Sequence, residues 1–75
     1  MSVSERSAFA ERVRRARREA ALTQNELAEV IGYSGRAVQT WEQGERTPRA
    51  HALREISKAT NKPLSWFFME EGVAA

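Results

Sequence analysis

Glycine and proline divide this chain into short segments, and the spacing of apolar residues within the segments is helical. The breaks are four glycines and two prolines, Gly32, Gly35, Gly44, Gly72, Pro48 and Pro63. The first segment carries apolar residues at i, i+4, i+7 and i+11, namely Phe9, Val13, Ala16 and Ala20. No segment alternates with the period of two that a half-buried strand requires. This pattern predicts an all-α fold of five short helices around one core.

Capping signals give the expected bounds of the first three helices. The first helix is predicted over residues 4–20. The run Thr23–Glu26 is typical of a capping box, in which the threonine hydroxyl and the glutamate carboxylate each accept from a backbone amide. Gly32 is predicted to end the second helix in a left-handed conformation. Ser34 is the expected N-cap of the third helix, which is predicted to end at about Gln43.

The last two helices are predicted by similar signals. Thr47 is the expected N-cap of the fourth helix, and Pro48 is expected at its first helical position, where an amide proton is not needed. Asn61 is expected to end that helix. A fifth helix is predicted over about residues 64–70, and residues 72–75 are expected to form a frayed tail.

Composition excludes several classes of function. The chain has no cysteine and one histidine, so it has neither a disulfide framework nor the side chains for a thiolate or multi-histidine metal site. No apolar stretch approaches the roughly 20 residues that span a bilayer. The sequence offers no nucleophile–base pair and no phosphate-binding loop. We therefore expect a single cytoplasmic domain over residues 1–75, with no membrane segment, cofactor, metal or enzymatic activity.

The second and third segments, about residues 23–43, are joined by only a short glycine-centred turn. Two short helices so connected are predicted to cross steeply, as in a helix-turn-helix. One side of the third segment is polar and has no acid or large apolar group: Arg36, Gln39, Thr40 and Gln43, with Gly35 at its edge. Arginine and glutamine can each form two hydrogen bonds to a purine base. This face therefore predicts contact with double-stranded DNA, and the alternative interpretation is an ordinary solvated face.

Three motifs in this region agree with a known family in both spacing and residue type. They are Leu22–Ala28, Gly32–Ser34 and Trp41–Gly44, the last followed by Pro48. They resemble the helix-turn-helix of phage lambdoid repressors and Cro proteins, within the wider xenobiotic-response-element class of bacterial regulators. The resemblance implies a repressor-like or Cro-like transcriptional regulator that binds an inverted-repeat operator in DNA, usually as a homodimer.

The polar face and the resemblance together assign DNA contacts to individual residues. The residues expected to contact base edges are Arg36, Gln39, Thr40 and Gly35. The residues expected to contact phosphates are Gln24, Ser34, Gln43, Arg46, Thr47 and Arg49. Gly35 departs from the family pattern, because many relatives carry a long polar side chain there. Most of the base contact is therefore expected from Arg36.

The resemblance also implies structural and dimer contacts. Arg17 and Glu42 are expected to form a partly buried salt bridge that braces the third helix against the first. By helical geometry, Arg14, Arg15 and Arg18 of the first helix face away from its apolar stripe and are expected to be solvated. The region expected to form the dimer contact comprises Lys62, Pro63, Leu64, Phe67 and Phe68. Three adjacent aromatic side chains cannot all face one core from one helix, so at least one is expected to face outward, although a role wholly within the protomer is the alternative.

A protein-interaction module is the alternative function. On this hypothesis the chain is an antitoxin-like or antirepressor-like protein that uses the same fold and its aromatic fifth helix to hold a co-encoded protein. The modest net charge of +2 and the presence of Glu45 in the loop favour this alternative. The polar face of the third segment favours DNA.

Overall fold

The computed structural model describes residues 3–69, with side chains from residue 5 onward. Four α-helices are followed by one 3₁₀ helix: α1 Val3–Glu19, α2 Gln24–Ile31, α3 Gly35–Glu42, α4 Ala50–Thr60 and the 3₁₀ helix Leu64–Phe68. No strand occurs in this part of the chain, so the all-α prediction is confirmed. The predicted fifth helix is present as a 3₁₀ helix, so the described residues contain four α-helices and a count of five α-helices is not confirmed. The expected tail at residues 72–75 lies outside the described residues.

The capping box at the start of α2 is present as predicted. The amide of Glu26 donates to the Thr23 hydroxyl at 3.0 Å, and the amide of Thr23 donates to the Glu26 carboxylate at 2.8 Å. Two of the amides that a helix leaves unpaired at its N-terminal end are thereby satisfied. At the other end Gly32 adopts a left-handed conformation with φ of 79°. Local signals therefore set both ends of α2.

The start of α4 differs from the prediction. Residues 47–49 are irregular, Arg49 is the N-cap with extended backbone, and the helix begins at Ala50. Pro48 lies outside the helix with its ring buried. Because its ring packs in the loop, Pro48 does not begin the helix. α4 therefore starts two residues later than predicted. The predicted end is correct, since Asn61 closes α4 with φ of 56°.

All four α-helices and the 3₁₀ helix contribute to one core. The buried apolar residues that form it are Phe9, Val13, Ala16, Leu27, Ala28, Ile31, Val38, Trp41, Ala52, Leu53, Ile56 and Phe67. The pair α2 and α3 pack closely together, and α1 packs against α3, α4 and the 3₁₀ helix. Ala20, the last residue of the predicted apolar stripe, is only half-buried because α1 ends one residue before it. The core therefore supports α3 from the side opposite its polar face.

The 3₁₀ helix distributes its three aromatic residues in three directions. A helix with three residues per turn rotates successive side chains by about 120°. Phe67 is 1 % exposed and packs in the core, whereas Phe68 is 56 % exposed. Trp66 is half-buried, with its ring edge-to-face on Phe67 at 5.2 Å between centroids. The expectation that one aromatic faces outward is confirmed. Assignment of Phe67 to a dimer contact is wrong for this protomer, because its side chain is enclosed in the core.

Cationic side chains fix the 3₁₀ helix to α1. The guanidinium of Arg12 lies 4.8 Å from the centroid of the Trp66 ring, and the ammonium of Lys62 lies 4.9 Å from it. Both distances are within the range of a cation–π interaction. Lys62 Nζ also donates to Glu19 at 2.6 Å. That hydrogen bond, followed by one from Arg15, lowers the pKa of the Glu19 carboxyl below its ordinary value. Lys62 is thus engaged within the protomer.

Candidate nucleic-acid interface

The start of α3 is set by a short turn and a serine cap. Only residues 32–34 separate α2 from α3, and the amide of Tyr33 donates to the carbonyl of Ala28 at 2.9 Å. The hydroxyl of Ser34 accepts from the amide of Ala37 at 3.1 Å. Ser34 therefore caps the helix as predicted, and its hydroxyl oxygen is already engaged in doing so.

The polar face of α3 points away from the core. Val38 and Trp41 are buried, while Arg36, Gln39 and Gln43 are exposed. Thr40 is half-buried, and its hydroxyl donates to the carbonyl of Arg36 at 2.8 Å. That bond uses the only hydroxyl hydrogen of Thr40. What Thr40 can offer a ligand in this geometry is a methyl group and a hydrogen-bond acceptor.

A groove of about 400 Å³ lies between the first half of α3 and the loop that leads into α4. We call it the arginine groove. Its lining includes six of the residues predicted to contact DNA: Ser34, Arg36, Thr40, Arg46, Thr47 and Arg49. The remaining lining residues are Tyr33, Ala37, Trp41 and Ala52. Three guanidinium groups and no carboxylate therefore border one concave surface, a charge pattern that favours an anionic ligand.

The arginine groove brings together residues from two separate parts of the chain. Arg36 comes from α3, whereas Arg46 and Arg49 come from the loop that precedes α4. The other predicted contacts, Gln24, Gln39, Gln43 and Gly35, do not line the groove. Six of the ten predicted DNA-contacting residues thus line the groove, and four do not.

Tyr33 lines the groove but was not among the residues predicted to contact DNA. Its ring packs edge-to-face on Trp41, with 5.3 Å between centroids. The residue is nevertheless 37 % exposed and lines the groove. Its position in the turn, directly before the serine cap, was the available signal. Tyr33 both covers the edge of the core and presents a polar hydroxyl-bearing ring beside the arginines.

A buried carboxylate holds the end of α3 in place. Glu42 is 2 % exposed. Arg17 forms two hydrogen bonds to it, through Nε to Oε2 at 2.6 Å and through Nη2 to Oε1 at 3.0 Å. Arg17 also donates from Nη1 to the carbonyl of Leu22 at 2.9 Å. The hydrogen bond with Glu42 raises the pKa of Arg17 above its ordinary value, although burial of the guanidinium acts in the opposite direction. The expected salt bridge between Arg17 and Glu42 is present and is bidentate.

Two more side chains complete the shell around Glu42. Gln24 Nε2 donates to Glu42 Oε1 at 3.2 Å, which ties the first residue of α2 to the last residue of α3. Arg14 Nη2 donates to the main-chain carbonyl of Glu42 at 2.9 Å. A cation at this point is favourable because the last carbonyls of a helix have no partner within it.

The expectation that Arg14 is merely solvated is therefore wrong. Its side chain is about one-third exposed, at 35 %, because one end of the guanidinium is committed to α3. Arg14 lies three positions before Arg17 and so on the same side of α1. That spacing was the signal in the sequence.

The space beside Gly35 is occupied by a neighbouring side chain. A Cβ atom built on Gly35 would lie 1.9 Å from Oδ1 of Asn25 and 3.1 Å from its Cγ. A side chain at position 35 is thus incompatible with the observed conformation of Asn25. The glycine has a packing reason, and it offers no side chain with which to contact a base.

The described part of the chain has neither a metal-binding cluster nor a membrane-spanning helix. Among residues 3–69, no three or more carboxylate or histidine side chains are grouped so that they could hold a metal ion. In the same range, none of the helices combines the length and apolar character that a membrane crossing requires.

Comparison with family models identifies a family for most of the chain. A family model described as helix-turn-helix matches residues 13–67, from the middle of α1 to the 3₁₀ helix. No curated protein matches the chain.

Proposed function

This chain belongs to the lambda repressor/Cro-like helix-turn-helix family of DNA-binding regulators, and we propose that it is a repressor-like or Cro-like regulator that binds an inverted-repeat operator as a dimer. α3 would lie in the major groove as the recognition helix. The arginine groove would hold the sugar–phosphate backbone beside it. Specificity would come from base contacts and affinity largely from the phosphates.

The observation that carries the proposal is the arginine groove beside the exposed polar face of α3. Arg46 and Arg49 are on the loop side of the groove, where a phosphate could accept from both. Arg36 is exposed at the boundary between groove and face. The concave, cationic surface is continuous with the face of α3 that carries Gln39 and Gln43. This arrangement fits duplex DNA, because phosphates flank the base edges of the major groove.

The buried network around Glu42 supports the same function. It joins α1, α2 and α3 through Arg17 and Gln24, so that the two helices of the helix-turn-helix have a fixed relative orientation. Base recognition by hydrogen bonds tolerates little displacement, because donor and acceptor must meet within about 3 Å. A recognition helix fixed at its far end meets this requirement.

Arg36→Ala is expected to relax the preference for one base pair of the operator by about 1–3 kcal/mol, because it removes the side chain that we propose contacts a base. The measurement is binding to an operator and to single-base variants of it by fluorescence anisotropy. Arg49→Ala is the matched control from the same groove. It is expected to weaken binding to all of these duplexes alike and to reduce the slope of log K against log salt by about 1. An equal loss on every duplex for Arg36→Ala would make Arg36 a phosphate contact only.

The proposed dimer surface consists of Pro63, Leu64 and Phe68, beside the exposed Met69. Leu64 is 42 % exposed and Phe68 is 56 % exposed, which is unusual for large apolar side chains on one short element. With two such surfaces paired about a two-fold axis, binding in successive major grooves would require the recognition helices of the two protomers to lie about 34–36 Å apart.

Leu64→Glu is expected to reduce operator affinity by at least about tenfold and to leave one protomer per operator, because a carboxylate is placed in the proposed apolar contact. The stoichiometry is measured by analytical ultracentrifugation of the complex. Ser65→Glu, an exposed neighbour, is the control for added charge. Two protomers per operator with Leu64→Glu would exclude this surface.

Selection from a random duplex library at about 150 mM salt tests the proposal as a whole. Enrichment of an inverted repeat with half-sites near one helical turn apart is the expected result. Failure of a folded, helical sample to enrich any motif would contradict it. That result would favour the partner-holding module, for which the exposed Leu64 and Phe68 are the supporting observation.

A further inference from the structure

A second side chain stands at the start of the recognition helix, and it comes from α2. Asn25 is the second residue of α2 and is exposed. Its Oδ1 occupies the place that the Cβ atom of residue 35 would take, at 1.9 Å from the built position. Its own Cα is 3.8 Å from that position. The carboxamide of Asn25 therefore takes the place of the side chain that Gly35 lacks.

We propose that Asn25 determines base specificity by donating from its carboxamide to an acceptor on a base edge at the N-terminal end of α3. This inference rests on the proposed function, since it requires α3 to be the recognition helix. The first residues of a recognition helix are those that contact base edges. Asn25 and Gly35 thus act together as one position of that helix.

The orientation of the carboxamide leaves its N–H groups for a base acceptor. Oδ1 lies 1.9 Å from the position of a Cβ built on Gly35, on the side where the glycine has only a hydrogen, so it can accept a weak C–H···O contact. The two hydrogens on Nδ2 are then the groups available to DNA. Within residues 3–69 no hydrogen bond occupies the Asn25 side chain. The major-groove acceptors open to these N–H groups are N7 of either purine, O6 of guanine and O4 of thymine.

The side chains on either side of Asn25 form hydrogen bonds with other residues. Gln24, its neighbour, is directed to the carboxylate of Glu42 at 3.2 Å. Glu26 is engaged in the capping box with Thr23. Of these three polar residues in the first turn of α2, Asn25 is the one whose side chain forms no hydrogen bond within residues 3–69.

A double-mutant cycle on the full chain tests the inference. Asn25→Ala, Gly35→Ala and the double variant are each carried through library selection and through binding to single-base variants of the operator. Asn25→Ala is expected to lower discrimination at one base pair by about tenfold. Gly35→Ala is expected to do the same at the same base pair, because the added Cβ displaces the Asn25 carboxamide. The double variant is expected to be no worse than either single variant.

Three results would overturn the inference. The first is an unchanged base preference in Asn25→Ala, whether affinity is retained or falls equally on all sequences. The second is additive losses in the cycle, which would mean that residues 25 and 35 act independently. The third is absence of any enriched motif with the unmodified protein, which would overturn the proposed function as well. If the unmodified protein and Asn25→Ala enrich the same motif, this inference is overturned and the proposed function is not. Circular dichroism and thermal melting show whether each variant is folded.

Discussion

Glu42→Ala is expected to lower the free energy of unfolding by about 3–5 kcal/mol, because it leaves a largely buried guanidinium without its counter-charge. The side chain of Arg17 is only 12 % exposed, and it keeps a single carbonyl partner when the carboxylate is removed. The donor of Gln24 also loses its acceptor. A domain of this size is stable by only about 4–11 kcal/mol. The midpoint of thermal unfolding is therefore expected to fall by about 15 °C or more.

Two further variants separate the charge from the volume of the side chain. Glu42→Gln keeps the shape and loses the charge, so it is expected to be destabilised nearly as much as the alanine variant. Replacing both partners, as in Arg17→Met with Glu42→Leu, is expected to restore most of the stability, because no buried charge remains. A loss below about 1 kcal/mol for Glu42→Ala would mean that the pair behaves as a solvated surface bridge. Thermal melting by circular dichroism provides the comparison.

Phe67→Ala is expected to cost about 3–5 kcal/mol, through lost burial and the cavity that remains. Phe67 is 1 % exposed and its ring centroid lies 6.3 Å from that of Phe9. It is also the residue through which the 3₁₀ helix joins the core. Urea unfolding should show a lower midpoint with an unchanged m-value if the same surface is exposed on unfolding.

Phe68→Ala is the matched control, since the two residues are adjacent and chemically identical. Phe68 is 56 % exposed, and its ring centroid lies 5.4 Å from that of Phe9. Its replacement is expected to cost about 1 kcal/mol or less in the isolated protomer. Equal losses of stability for the two variants would contradict the assignment of Phe67 to the core and of Phe68 to the surface.

Interactions close in sequence were predictable from the chain alone. The capping box of Thr23 and Glu26, the serine cap of α3 and the left-handed ends at Gly32 and Asn61 each depend on residues within four positions of one another. Such signals act on the backbone locally and keep their meaning in any fold. They account for the correct bounds of α2 and for the correct end of α4.

Predictions failed where a distant part of the chain decided the outcome. Pro48 has the ordinary preference of proline for a helix start, but burial of its ring left it in the loop. Arg14 is one of several arginines on α1, and its partner is 28 residues away. The cost of Gly35 to helix propensity was visible in the sequence, whereas its cause, the side chain of Asn25, was not.

The sequence by itself determined the helical class, the helix-turn-helix and the polar face of α3. These follow from periodicity, capping and turn chemistry, all of which act over a few residues. Only the tertiary structure decided which arginines share a groove, which carboxylate is buried and which of two adjacent phenylalanines enters the core. Those outcomes depend on how the helices pack, because burial and charge pairing are set by neighbours that are distant in the chain.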